Sequence, residues 1–475
     1  MPRRSVNQKS TGAGGVRLEA HWRTVSWAVL DKSLQLVYGL AFLFLVVRGL
    51  PREEYGLQSL AMAVQLTVSQ LFRALLLVPL IKYVAAAGGP ARVASTGSLL
   101  YAAANVVAAG LLWGARGLWA GMFAKPELAG VLVPTAVLLV ASSGRDAAIS
   151  SLEGERRLKS VFFLDAGYFA LAIAGLAGWR AAATDRTASG VQWILVLVAA
   201  LGTSFAIAVT WRALWRRPSA AEARRILRFG AGSFGSGLGA TLQQQGDTLL
   251  AGRLMDAAGL ATYNAARLLF RVFNVLAQAI NQVLMPAVSR LEAAGRRDDL
   301  RVLFEKSVCF LSLLLFPACV GLVVVSPVLL DLLFGGRYGD SVPVFQILVA
   351  SALALPLATV GSAVLTGLGR LRALVWMTWA GVALGLALLL VWTPRWGPVG
   401  AAAATLVAGL FGAVVRTLVL RRELGFTWRS MALRVGDVSA YARRRFAGGA
   451  ASDQTANTSE TRSKGGQESD RADPQ

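Results

Sequence analysis

Asn264, Arg267, Arg271, Asn274, Gln278 and Asn281 recur at alternating three- and four-residue steps in one segment of the chain. That spacing places all six on one face of a helix. The residues between them, Leu268, Leu269, Phe270, Val272, Val275 and Leu276, are apolar. Guanidinium groups match phosphate oxygens in bidentate pairs, and amides satisfy hydroxyls. The chemistry such a face can do is recognition of a hydroxyl-rich anion, with no covalent step. No carboxylate is an obvious partner for Arg267 or Arg271 in the sequence around them.

Three other segments carry ionisable groups in similar surroundings. Arg73 follows Gln58, Gln65 and Ser69 at helical spacing. Asp31 and Lys32 precede Gln35 and Tyr38, with Lys32 either facing the same space or snorkelling to the interface. Asp247 lies beside a stripe of Thr241, Gln244 and Thr248. The two acids, Asp31 and Asp247, are candidates for coupling to a proton or for pairing with a base. Asp165 is expected at a membrane interface, and Glu53 and Glu54 are expected to pair locally with Arg48 and Arg52.

The elements that position these residues are long apolar stretches. A hydrocarbon core of about 30 Å needs roughly 20 apolar residues per helix. Twelve such spans are predicted, at 25–47, 57–81, 93–113, 128–150, 161–180, 190–211, 230–252, 260–286, 305–330, 341–367, 373–393 and 397–420. An ionisable side chain at mid-bilayer costs about 2.5–3.5 kcal/mol, so it faces protein or water rather than lipid. The expected fold is therefore an all-α integral membrane protein, with two six-helix lobes around a central cavity.

The net charge of +22 would suggest nucleic acid in a soluble chain. Here most of the 48 Lys and Arg fall in alternate loops, on the side that holds both termini. This positive-inside bias predicts that both ends are cytoplasmic, and no basic cluster interleaved with aromatics argues for nucleic acid. His21 is the only histidine, which excludes a His-based metal cluster or triad. Cys309 and Cys319 sit about 15 Å apart on one predicted helix, too far for a disulfide. No Walker-type loop appears, no cofactor or metal is expected, and the basic N-terminus does not read as a cleavable signal.

The spans divide into two related halves. Arg48-Gly-Leu-Pro-Arg-Glu-Glu-Tyr-Gly-Leu-Gln-Ser-Leu-Ala61 follows span 1, and Arg253-Leu-Met-Asp-Ala-Ala-Gly-Leu-Ala-Thr-Tyr-Asn-Ala-Ala266 takes the same place after span 7. Leu152-Glu-Gly-Glu-Arg-Arg-Leu-Lys159 and Leu365-Thr-Gly-Leu-Gly-Arg-Leu-Arg372 form a second pair, after spans 4 and 10. A parallel repeat with a pseudo-twofold along the membrane normal follows, the layout of an alternating-access transporter. The expected organisation is a basic N-terminus (1–24), an N-lobe (25–211), a basic linker (212–229), a C-lobe (230–424) and a disordered cytoplasmic tail (425–475).

Several of these segments resemble a known family. The Arg48–Gly56 loop, Asp247-Thr-Leu-Leu-Ala-Gly-Arg253 with Tyr263, and Met285-Pro-Ala-Val-Ser-Arg-Leu291 are similar to polysaccharide exporters of the MOP superfamily. Pro317, Gly321 and Pro327 with Leu333-Phe-Gly-Gly-Arg-Tyr338, and Pro394-Arg-Trp-Gly-Pro-Val-Gly-Ala-Ala-Ala-Ala-Thr405, extend the resemblance. The loop after span 1 departs from it at Leu50, where the family usually has Gly. The resemblance implies a Wzx-like flippase, not an enzyme, that moves undecaprenyl-pyrophosphate-linked oligosaccharide across the bacterial cytoplasmic membrane. It would work within lipid and beside a polysaccharide polymerase and chain-length machinery. Arg73, Arg267, Arg271, Lys32, Asn264, Asn274 and Gln278 are the expected substrate-binding residues. A lipid II flippase carries a similar pyrophosphate cargo but usually has more helices. A multidrug exporter of the same superfamily should present carboxylates to cations. A multi-spanning polymerase or glycosyltransferase needs a larger extramembrane loop than any here.

Overall fold

A computed structural model describes residues 30–31, 33–86, 91–214 and 216–427, together with Trp27 and Ser430. Lys32 and nearly all of the predicted tail lie outside the described residues. The described residues form helices and turns with no strand. The helices are α1 (Ser33–Val47), α2 (Arg52–Ala86), α3 (Ala91–Gly114), the short α4 (Arg116–Met122) and α5 (Leu128–Gly154). Then come α6 (Leu158–Ala182), α7 (Ala188–Leu214), α8 (Ala220–Leu254), α9 (Ala257–Ala293) and α10 (Arg297–Phe334). Last are α11 (Ser341–Ala352), α12 (Leu355–Gly367) and α13 (Leu371–Leu424).

Eight of these helices are long and apolar enough to cross a membrane, or nine with α11 and α12 counted as one span bent by 43°. The expected twelve therefore do not each appear as a separate apolar helix, and the differences have physical causes. Spans 11 and 12 form the continuous 54-residue α13, which breaks at Gly397 (φ 54°, ψ −136°) between Pro394 and Pro398. That backbone region is open to glycine and costly for side chains. Span 7 falls within α8, whose Gln243-Gln-Gln-Gly-Asp-Thr248 run makes it too polar to pass as a span alone.

The helices gather into two compact units that do not follow chain order. The first takes residues 1–276, 322–351 and 375–412; the second takes 277–321, 352–374 and 413–475. Within the first, α5 packs along α3 and α7, and α2 packs along α8. Two glycines set the α2 contacts. A Cβ at Gly56 would collide with the Ala257 carbonyl at the start of α9, and one at Gly230 would collide with the Leu75 carbonyl. Leu75 sits in a π-helical turn of α2, Arg73–Leu77, that begins at Arg73 itself. Such a turn widens the helix and re-aims side chains.

All six turns predicted to lie on the outer side belong to this first unit. Lys125, buried in the α4–α5 turn, donates from Nζ to the carbonyls of Gly252 and Met255, both at 2.6 Å, where α8 ends. Burial pushes its ammonium below the usual lysine range, and Asp256 opposes that shift. The sequence predicts that Glu53 and Glu54 pair locally with Arg48 and Arg52. Glu54 instead accepts from the Ala188 amide at 2.6 Å, at the start of α7, and Arg52 pairs with Asp340 at 3.1 Å. A carboxylate is favoured at the exposed amides of a helix start, which explains the preference.

In the second unit Glu305 is buried and pairs with Arg301 at 3.0 Å, and Phe304 packs against Phe426. Cys309 and Cys319 are both buried and free, as their spacing predicts.

Candidate substrate site

The polar face of α9 begins where the helix is most buried. Asn264 donates from Nδ2 to Ser59 Oγ on α2 at 3.0 Å and accepts from Thr248 Oγ1 on α8 at 3.1 Å. Its amide thus ties three helices together and has no exposed surface of note. One turn on, Arg267 donates to Thr248 Oγ1 at 2.9 Å and to the Gln244 carbonyl.

Arg267 also meets Asp247 Oδ1 at 2.8 Å, with both side chains about five-sixths buried. This overturns the expectation that Arg267 lacks a carboxylate: the partner comes from α8, twenty residues back along the chain. The other Asp247 oxygen accepts from Tyr263 at 2.8 Å, and Tyr263 lies 3.3 Å from Thr405 Oγ1 on α13. Asp247 is therefore an ion-paired residue at the centre of a network spanning α8, α9 and α13. A charge pair of this kind is stable only when its remaining polar atoms are also satisfied, and here they are.

Arg271, one further turn along, differs from Arg267. It is exposed, and among the described residues no carboxylate lies within 4.0 Å of it. Asn274 is exposed on the same face. Gln278 is exposed too, but belongs to the second compact unit. Arg73 is 41% exposed and pairs with Glu153 of α5 at 3.2 Å. Nearby on α2, Gln70 donates to Gln244 at 3.3 Å. In the first unit the structure thus brings α2, α8 and α9 together and leaves Arg271 and Asn274 unengaged by acids.

A second cluster was missed in the sequence. Arg145 on α5 pairs with Asp165 of α6, lies 3.7 Å from Asp146, and stacks 4.0 Å above the Tyr168 ring. Tyr101 of α3 donates to Asp146 at 3.2 Å. Asp165, expected at an interface, is buried because Arg145 neutralises it there. Arg145 and Asp146 fall inside predicted span 128–150, so the cost of intramembrane charge was the signal that could have found them. Asp31 accepts from Gln35 of α1 at 3.5 Å. Arg416 on α13, buried in the second unit with its Nε unbonded, was missed as well.

A family model described as "Polysaccharide biosynthesis protein" matches residues 45–343, and the chain belongs to that family. The lipopolysaccharide biosynthesis protein WzxC of Escherichia coli (strain K12) is 31% identical over 134 residues, which cover 27% of this chain and 26% of that protein. The chain thus aligns with about a quarter of the length of this relative. An inward-facing multidrug resistance MATE family transporter of the MOP superfamily superposes with a TM-score of 0.72 at 17% identity. That superposition covers 84% of this chain and 98% of the other. The lipid II flippase MurJ, in its inward closed conformation, gives 0.70 at 11% identity over 88% and 90%. The fold of this chain is that of these two transporters.

Proposed function

We propose that the chain is a flippase that carries undecaprenyl-pyrophosphate-linked oligosaccharide across the bacterial cytoplasmic membrane by alternating access. Both termini would lie in the cytoplasm, on the charge bias. The observation that carries this reading is Arg271, an exposed guanidinium on an apolar helix with no carboxylate beside it among the described residues. An unpaired cation in such a place is costly unless an anion or water visits it. Cationic drugs would be repelled there, so an anionic headgroup fits better than multidrug cargo.

In this mechanism Arg271 and Arg73 attract the diphosphate, while Asn274 bonds sugar hydroxyls. Arg73 would exchange Glu153 for phosphate as cargo arrives. Arg267 and Asn264 act differently from Arg271: they hold the site's walls through Asp247, Thr248 and Ser59. Lys32 is proposed as a further headgroup ligand near the entry. The polyprenyl chain stays in lipid, and the lobes rock to expose the site on the far side. Asp31 and Asp247 are proposed to couple that motion to a proton, each exchanging its present partner. A polymerase and chain-length machinery would take the delivered sugar.

Complementation tests the reading. In a strain deleted for this protein, Arg271→Ala should insert normally yet fail to restore polymer. Full restoration by Arg271→Ala would contradict the anion site.

A further inference from the structure

Four arginines gather at the predicted outer face, away from the polar face of α9. Arg337 donates to the Arg48 carbonyl at 3.5 Å, and the Arg48 guanidinium lies against Gly335, whose positive φ of 66° makes the turn. Arg180, at the end of α6, donates to the Phe44 carbonyl one turn before Arg48. Arg186 donates to the Arg180 carbonyl at 3.3 Å.

Asp340, the nearby acid that does form an ion pair, is taken by Arg52. Among the described residues no carboxylate lies within 4.0 Å of Arg48, Arg180, Arg186 or Arg337. Like charges held together without counter-ions repel, and an anion relieves that. Arg48, Arg186 and Arg337 are exposed, so their donors are reachable.

The surface beneath says what kind of anion. Val37, Leu40 and Phe44 of α1 are exposed and share the face that leads up to Arg48. A cationic head region above an apolar lane fits an amphiphile whose charge sits at the membrane surface. A phosphodiester lipid carries one negative charge, whereas a diphosphate diester carries two. Four guanidiniums with no carboxylate within 4.0 Å among the described residues favour the latter.

We propose that Arg48, Arg180, Arg186 and Arg337 form an exit site for the diphosphate head of a lipid-linked product, with its polyprenyl chain along Val37, Leu40 and Phe44. The proposal rests on the flippase reading above for the identity of the lipid and for the outward orientation of this face. It differs from the α9 site in place and in timing, since it holds cargo after translocation.

The test uses the full chain in phosphatidylcholine nanodiscs, with undecaprenyl pyrophosphate as probe and phosphatidylglycerol as competitor. All variants are read in the Arg271→Gln background as well, so that the α9 site does not contribute. Replacing the four arginines by Gln should weaken probe binding at least tenfold, while replacing them by Lys should keep it within a few-fold of wild type. If the Gln variant misfolds, Arg48→Gln with Arg186→Gln serves instead, since Arg180 and Arg337 then keep their backbone contacts. Unchanged binding in a folded Gln variant would overturn the exit site. Equal competition by phosphatidylglycerol would overturn it too, in favour of a general anionic-lipid contact. Flipping by the Arg271→Gln protein is scored separately: normal flipping there refutes the α9 mechanism without touching the exit site.

Discussion

Asn264 Nδ2 donates to Ser59 Oγ at 3.0 Å, and the two residues are 205 positions apart. That separation is the shift relating the segments after spans 1 and 7, so residues in equivalent places of the two halves touch each other. Residues related by a twofold meet only at its axis. A pseudo-twofold relating those segments would pass between α2 and α9, where Ser59 faces Asn264. Gly56 against Ala257 and Leu60 against Gly252 pack around the same point.

Breaking this contact should cost stability before it costs chemistry. Asn264→Ala leaves Ser59 and Thr248 without their amide partner, at roughly 1–3 kcal/mol for buried polar groups. The expected result is a lower melting temperature in detergent with Arg271-dependent binding retained. Equal stability of variant and wild type would remove Asn264 from the inter-helix contact.

Arg267 and Arg271 should separate cleanly. Arg267→Ala strands the Asp247 carboxylate in a mostly buried setting, which costs about 3–5 kcal/mol. The Arg267→Ala/Asp247→Ala double variant should recover much of that loss. Arg271→Ala should leave the melting temperature near wild type. A melting series on the four proteins checks both statements, and a large destabilisation by Arg271→Ala would show that it too is structural.

Lys125→Met removes the ammonium that caps α8. Two 2.6 Å charge-assisted hydrogen bonds disappear, a loss of roughly 1.5–3 kcal/mol. Methionine keeps the aliphatic volume, so packing is largely preserved. Hydrogen exchange should rise at the amides near Gly252 and Met255, and unchanged exchange there would contradict the cap.

Truncation after Ser430, which keeps Phe426 packed on Phe304, addresses the C-terminal residues. Export should remain largely intact in a complementation assay if the segment beyond is an appendage. Complete loss of polymer would assign it an essential role.

Much of this was legible from periodicity and hydropathy. Apolar run length fixed the helical membrane class, and the three-four spacing from Asn264 to Gln278 gave the polar face of α9. The partners on that face were not legible. Asp247 reaches Arg267 across a helix pair, and no one-dimensional spacing encodes which of α8's stripes turns toward α9. The charges of the Arg145 cluster were legible, since Arg145 and Asp146 fall inside the predicted span 128–150, but their partners Asp165 and Tyr168 on α6 and Tyr101 on α3 were not. The exit arginines come from three separate turns that only tertiary packing brings together.

Transport itself is the most direct measurement. Purified protein in liposomes, given a fluorescent undecaprenyl-pyrophosphate-linked oligosaccharide, should move it between leaflets. Arg271→Gln should lower that rate by about tenfold or more, the equivalent of losing one charge-assisted contact. Wild-type protein that leaves the lipid-linked sugar in its original leaflet, or an Arg271→Gln protein that moves it at the wild-type rate, would contradict the account.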